Sequence, residues 1–155
     1  MILSVPHTGT RSLEKITGYT HLHSYAYMTP QDILNRNQNE VMVVPLREPW
    51  AVWTTWFQRY GGRKYIMDPD HPKSMESAWR ALAALDRYFD LHYIPVDIPG
   101  VRDEQLDLLS EKMGRKLVSD WIPVGARPEK KKTNQPGERN LDFVYNMPFV
   151  RRFYG

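Results

Sequence analysis

The chain has 155 residues, 41% of them hydrophobic, and contains no cysteine. That size and composition suffice for one ordinary core, so a single domain over residues 1–155 is expected, and disulfides, thiolate nucleophiles and thiolate zinc sites are excluded. No apolar run has the length of a membrane span and no basic-then-apolar leader opens the sequence, which points to a cytoplasmic protein with neither membrane nor nucleic acid polymer as partner.

The net charge of +3 is unevenly spread: residues 1–114 carry 12 Lys and Arg against 14 Asp and Glu, whereas residues 115–155 carry 9 against 4. The basic C-terminal segment, 115–155, therefore reads as a clamp for a phosphorylated ligand. In chain order, residues 1–5 form an apolar run too short for a helix, followed by a turn and a helix over 10–17 that stops at Gly18. Residues 20–27 alternate aromatic and polar positions and predict a second strand. Thr29 and Pro30 are the N-cap and first position of a short helix. The β-branched run at 40–46 predicts a fully buried parallel strand. Pro49 opens a helix that ends at Gly61 and Gly62, with Trp50, Trp53 and Phe57 on one stripe and Trp56 on another.

A long helix is predicted over 72–91, with Met75, Trp79, Leu82 and Leu85 on one face. Its Glu76, Asp86 and Asp90 read as solvated or ion-paired. A fourth strand is predicted at 92–99, an amphipathic helix over 102–113 closed by Gly114, then a Pro/Gly/Lys-rich loop and a terminal helical piece interrupted by Pro148. Strands alternating with helices predict a three-layer α/β fold, P-loop-like, with a mainly parallel central sheet flanked by helices.

Two stretches carry chemistry. The first is the turn Pro6-His7-Thr8-Gly9-Thr10-Arg11-Ser12 between the first strand and its helix. A glycine-containing turn lets backbone N–H groups converge, and the helix N-terminus adds about half a positive charge, which together make an anion site. Thr8, Thr10 and Ser12 supply hydroxyls, Arg11 a planar fork of donors, and His7 a proton. The sequence lacks the second glycine and lysine of the Walker A pattern, which disfavours an ordinary P-loop ATPase. The second stretch is Arg47-Glu48-Pro49, with Arg47 at the carboxyl end of a predicted buried strand, where ligands bind in open α/β sheets, and Thr55 eight residues further along the following helix.

Together these stretches resemble the sulfotransferase family, which moves a sulfuryl group from 3′-phosphoadenosine 5′-phosphosulfate (PAPS) and releases adenosine 3′,5′-bisphosphate (PAP). The family's 5′-phosphosulfate loop, P-K-x-G-T-T/R-x-L, matches Pro6 to Leu13 with His7 in the lysine's place. Its 3′-phosphate motif, R-x-P with a serine eight residues after the arginine, matches Arg47, Glu48 and Pro49, with Thr55 for the serine. Thr20-His21-Leu22 stands where the cytosolic branch has T-H-L, whose histidine is the general base. The helix ending at Gly114 and the basic segment around Lys130 to Lys132 occupy the place of the C-terminal cofactor loop.

The resemblance implies a sulfotransferase acting in line, without metal, on a hydroxyl or amine of a small-molecule or glycan acceptor. It makes His7, Thr8, Gly9, Thr10, Arg11, Ser12, Arg47 and Thr55 cofactor-binding, with His7 stabilising the leaving group. His21 is the favoured base, and His23, two residues along the same predicted strand, is the second candidate. Two departures matter: an imidazole is only partly charged at neutral pH, and the chain is short for the family. They leave open a non-catalytic nucleotide-binding or structural module on the same fold. A metal hydrolase built on His7, His21 and His23 is a further alternative. Trp121 and Tyr19 are unassigned aromatics, an aromatic residue is a candidate for stacking on adenine, and five tryptophans on a reduced core allow a homodimer.

Overall fold

The computed structural model describes residues 1–37, 39, 41–61, 63–117, 121 and 138–155. Four strands, β1 (Ile2–Leu3), β2 (His21–Leu22), β3 (Met42–Leu46) and β4 (Leu91–Pro95), form a sheet in the order β2-β1-β3-β4, and every neighbouring pair is parallel. The helices are α1 (Thr10–Thr17), α2 (Pro30–Arg36), α3 (Pro49–Tyr60), α4 (Met75–Leu85), α5 (Pro99–Met113), α6 (Asp142–Tyr145) and α7 (Pro148–Tyr154).

Strand side chains alternate between the two faces, and each face has its own helices. Ile2, Val43, Ile94 and Val96 pack with Leu13 and Ile16 of α1 and Leu106 and Leu109 of α5. Leu3, Val44, Leu46 and Tyr93 pack on the other side with Trp53, Trp79, Leu82 and the α6–α7 residues Val144, Phe149 and Val150. Parallel strands covered on both faces must be apolar throughout, and all five residues of β3 and of β4 are buried.

Helix starts follow the sequence closely. Thr29 and Asp32 form a reciprocal capping box at α2, Ser74 caps α4 by accepting from the Ser77 N–H, and Pro30, Pro49, Pro99 and Pro148 each lie in the first turn of a helix, where no N–H is needed. Pro148 thus opens α7 rather than merely breaking a longer helix. Ser74 and the β4 strand bound the long helix to 75–85, and its stripe of Met75, Trp79, Leu82 and Leu85 is buried as the periodicity predicts.

One expectation in this region needs correction. The strand expected over 20–27 is only two residues long, because β1 offers just Ile2 and Leu3 for pairing; the chain then coils into a 3-10 turn, Ser24–Tyr27, that buries Tyr25 with its hydroxyl on the Ala78 carbonyl at 3.2 Å. Glu76, expected to be solvated or ion-paired, is ion-paired and fully buried. Arg139 grips it through both carboxylate oxygens at 2.5 and 3.0 Å, donates to the carbonyls of Met67 and Ile66, and lays its guanidinium on the Trp53 ring at 4.5 Å. Such a pair compensates the desolvation of both charges only when most donors are used, and here four of the five guanidinium N–H groups are. Asp86 accepts a hydrogen bond from the Tyr93 hydroxyl.

The strand order reverses between β1 and β3: the chain leaves β1 toward β2 on one side and leaves β3 toward β4 on the other. Crossovers diverging in this way leave a crevice at the carboxyl ends of the two strands. Local chemistry widens it. Val43 N–H donates to the Met1 carbonyl at 2.9 Å, so the next group of β3 aimed at β1 is that of residue 45, which is proline and has no N–H. The only register pair between β1 and β3 is Ile2↔Val43.

Candidate functional site

The turn after β1 opens into that crevice. His7 at φ 70° and Gly9 at φ 86° are both left-handed, one residue apart, and alternation of this kind turns backbone N–H groups inward as an anion nest. Glycine at position 9 is required twice over, since a Cβ there would sit 3.2 and 3.3 Å from the two methyls of Val96 and 3.4 Å from the Trp121 ring. Thr8 is fully buried and its hydroxyl donates to the Val5 carbonyl at 2.6 Å, bracing the turn from within.

Two helices begin at this edge, and they differ. α3 is capped by Glu48, whose carboxylate accepts the Ala51 N–H at 2.9 Å, so its N-terminal charge is already matched. α1 has no side-chain cap, and Thr10 at its start is 8% exposed, with a buried hydroxyl that makes no hydrogen bond among the described residues. An anion is therefore drawn to α1. Arg11 is exposed in the first turn of that helix, and Ser12 is buried beneath it.

Arg47 connects the two sequence stretches. Its Nη1 donates to the His7 carbonyl at 3.3 Å and to the Thr55 hydroxyl at 3.2 Å, while Thr55 passes its own proton to the Ala51 carbonyl at 3.0 Å. Among the described residues the remaining guanidinium nitrogens make no hydrogen bond and no carboxylate lies within ion-pair distance of Arg47. A half-buried cation is thus held at a fixed point beside the turn, with a donor fork left over.

His21 and His23 lie on the β2 side. Their ring centroids are 4.5 Å apart, as expected from their spacing, but His23 has left the strand and precedes the 3-10 turn. His21 is bound to Glu14 of α1 through both Nδ1 and its backbone N–H. His23 Nδ1 lies 2.9 Å from the Ser4 carbonyl and 3.1 Å from the Ser4 hydroxyl. A carbonyl only accepts, so Nδ1 carries the proton and Nε2 keeps a free lone pair. Burial is the main reason that the His23 pKa lies below the ordinary histidine value, with the His21 ring adding repulsion against the opposing pull of the Ser4 bond and Glu14.

His7 faces two aromatic rings, Trp56 edge-on at 5.9 Å and Tyr60 at 5.8 Å. His7, His21 and His23 do not form a metal cluster, and no group of three His, Cys, Asp or Glu suited to a metal ion exists among the described residues. Lys130 to Lys132 lie outside the described residues.

Several participants were not evident from spacing. Ser4 and Glu14 orient the two histidines, and the pairing that brings them there depends on the register of two very short strands. Trp121 packs on Gly9 and under the Arg102 guanidinium at 5.1 Å. Tyr145 donates to Glu48, and Tyr154 to Asp97, whose other oxygen accepts the Glu48 N–H at 2.9 Å, so α6 and α7 are tied to the same sheet edge. The acidic partners raise both phenols, Tyr145 to about 12, though burial is the larger cause.

No helix among the described residues is long and apolar enough to cross a membrane. No family model, curated protein or solved structure matches the chain.

Proposed function

We propose that the protein is a PAPS-dependent sulfotransferase on a P-loop-like fold, with the nucleotide bound across the β1–β3 crevice. The observation that carries this reading is the single bridge from Arg47 Nη1 to the His7 carbonyl and Thr55. It makes the turn, the arginine and the threonine one site, as the sulfotransferase motifs require of these residues.

The nest at residues 7–10, the uncapped N-terminus of α1 and the Thr10 hydroxyl receive the 5′-phosphosulfate, and Thr8 takes part through its backbone N–H. Arg11 and Ser12 flank that group. The free fork of Arg47, steadied by Thr55, receives the 3′-phosphate. In-line transfer breaks the bond between sulfur and the bridging phosphate oxygen and leaves the electron pair on the phosphate. The acceptor oxygen or nitrogen bonds to sulfur and gives up its proton to a base. Because the transition state is loose, most of the catalytic work is positioning and charge stabilisation on the leaving phosphate. Each well-placed donor there is worth about 3 kcal/mol.

His7 stands where the charge develops. A protonated imidazole supplies what the family's lysine supplies, so transfer is favoured at the lower end of the neutral range. For the base, the geometry supports His23 over His21: its Nδ1–H is fixed on Ser4, its Nε2 is unprotonated, and its lowered pKa keeps it neutral. His21 is committed to Glu14.

The test is calorimetric titration with PAP followed by transfer of radiolabelled sulfate from PAPS to a panel of hydroxyl and amine acceptors between pH 5 and 8. Nucleotide binding with transfer is expected. The histidine at position 7 supports one other reading, a nucleotide-binding module without activity, which predicts binding with no transfer anywhere in that range. Absence of PAP binding would refute both.

A further inference from the structure

The end of α3 beside His7 is strongly basic in a way that the nucleotide reading leaves unused. Between Glu48 and Asp68 the chain has no acidic residue, but it has Arg59, Arg63 and Lys64. Arg59 and Arg63 are exposed, and their guanidiniums lie on the Tyr60 ring, 5.7 and 5.6 Å from its centroid. Neither has a carboxylate within ion-pair distance among the described residues. Elsewhere the exposed Arg80 and the partly buried Arg102 find acidic partners, Asp70 and Asp103. Arg63 also donates to the Tyr65 hydroxyl at 2.9 Å, which holds it in place.

Tyr60 is the point of contact with the site, since its other neighbours are the His7 ring at 5.8 Å and the Trp56 ring at 5.8 Å. Two guanidiniums, prearranged on an aromatic ring that also contacts the His7 ring of the turn, provide donors for a second anion beside the first. An approaching neutral acceptor would gain nothing from them. A carboxylate or sulfate would gain charge-assisted hydrogen bonds and a favourable local field.

We propose that the acceptor carries a carboxylate or sulfate group next to its accepting hydroxyl or amine, and that Arg59 and Arg63 bind that group. The inference rests on the sulfotransferase reading for the word acceptor, but the anion subsite is measurable without it.

The experiment titrates two matched pairs into the protein, with and without saturating PAP, by calorimetry. N-acetylglucosamine 6-sulfate and N-acetylglucosamine represent saccharides, and 4-hydroxybenzoate and 4-hydroxybenzyl alcohol represent small aryl acceptors. The charged member of at least one pair is expected to bind about tenfold or more tightly than its neutral partner, as one or two charge-assisted contacts provide. The pair that shows the preference tells saccharide from aryl. The preference shrinks as salt rises from about 0.05 to about 0.5 M. In R59Q/R63Q it falls to about twofold or less, while PAP affinity stays within about twofold of the parent. Because both side chains are exposed, the variant folds normally, and R59K/R63K, which keeps the charges, restores part of the preference.

Equal binding of charged and neutral members, or a preference that survives in R59Q/R63Q, overturns the proposal. So does a parallel loss of PAP affinity in that variant, which would assign the guanidiniums to the nucleotide. Failure of the unaltered protein to bind PAP refutes the sulfotransferase reading on its own and removes the acceptor role, whereas the charged-over-neutral comparison in the nucleotide-free protein reports separately on the anion subsite.

Discussion

One nitrogen of Arg47 touches both the backbone of the turn at His7, 3.3 Å away, and the side chain of Thr55, 3.2 Å away. The arginine is therefore a structural bracket for the turn as well as a cation within it.

Replacing Arg47 by alanine removes the bracket and the charge together. Affinity for PAP is expected to fall about 100-fold, the loss of roughly two charge-assisted hydrogen bonds. Lysine does not restore it, because a point charge cannot hold Thr55 and the His7 carbonyl while presenting a planar fork. Calorimetry measures the difference, and an Arg47→Ala affinity within about threefold of the parent contradicts the assigned pocket.

His23→Asn is expected to lower the transfer rate by about 10² to 10⁴ while leaving PAP affinity unchanged, as removal of a general base does. Since the His23 pKa is lowered, mainly by burial, more of the base is neutral at any given pH than for an ordinary histidine. The rate limb due to the base thus rises with pH, with its midpoint below the ordinary histidine value near 6.5. His21→Asn has the smaller effect. A larger loss with His21→Asn would return the base to the residue that sequence context favours.

Gly9→Ala combines a left-handed φ of 86° with a Cβ at 3.2 Å from a branched, packed Val96 methyl. The backbone conformation alone costs about 1–2 kcal/mol in a non-glycine residue. Lower unfolding stability in urea and weakened PAP binding are expected together. Retention of both would show that the turn is not held in this geometry.

Arg139→Met strands the fully buried Glu76 without its partner and is expected to destabilise the fold by about 3–5 kcal/mol. Adding Glu76→Gln recovers much of the loss, because the orphan is then uncharged. Urea midpoints of the single and double variants decide the matter: equal loss in both would mean that packing, not charge, dominates.

His92 is buried on β4, with Nε2 on the Gln105 carbonyl at 2.9 Å and Nδ1 facing Lys112 Nζ at 3.0 Å. Burial is the main cause of its lowered pKa; Lys112 and Arg152 add repulsion, against the Gln105 bond and Asp90, which favour the protonated form. The folded state then holds fewer protons than the unfolded one, so stability is complete above the unfolded value near 6.5 and is lost as pH falls from there through the lowered folded value. His92→Gln should remove that acid limb in urea titrations, and Lys112→Met, which relieves only a lesser repulsion, should make it shallower; a limb unchanged in His92→Gln would assign it to other groups, His23 among them.

How far the sequence reveals these features depends on what encodes them. Alternating elements, caps and first-turn prolines are local signals, so the α/β order and the ends of α2 and α3 could be read directly, whereas the helix expected over 72–91 is shortened at both ends to Met75–Leu85. The proximity of Arg47 to the turn was implied by motif resemblance and by the rule that ligands sit at carboxyl strand ends. The length of β2 could not be read, because it is set by how much of β1 is available for pairing rather than by the residues at 20–27. The Glu76–Arg139 pair spans 63 positions, and nothing in a helix's charge pattern distinguishes a buried glutamate from an exposed one. The Ser4–His23 and Glu14–His21 contacts depend on the register of two-residue strands, for which periodicity is mute.

Pro45 stands in an interior strand, a place where proline is ordinarily excluded because it deprives a ladder of one rung. Here the missing rung lies between the strand that leads into the turn and the strand that ends in Arg47. The sheet is therefore unstitched along one seam, at the carboxyl end, where the proposed nucleotide would enter. The mouth of the crevice is written into the covalent structure of one ring, not into a movement of the chain.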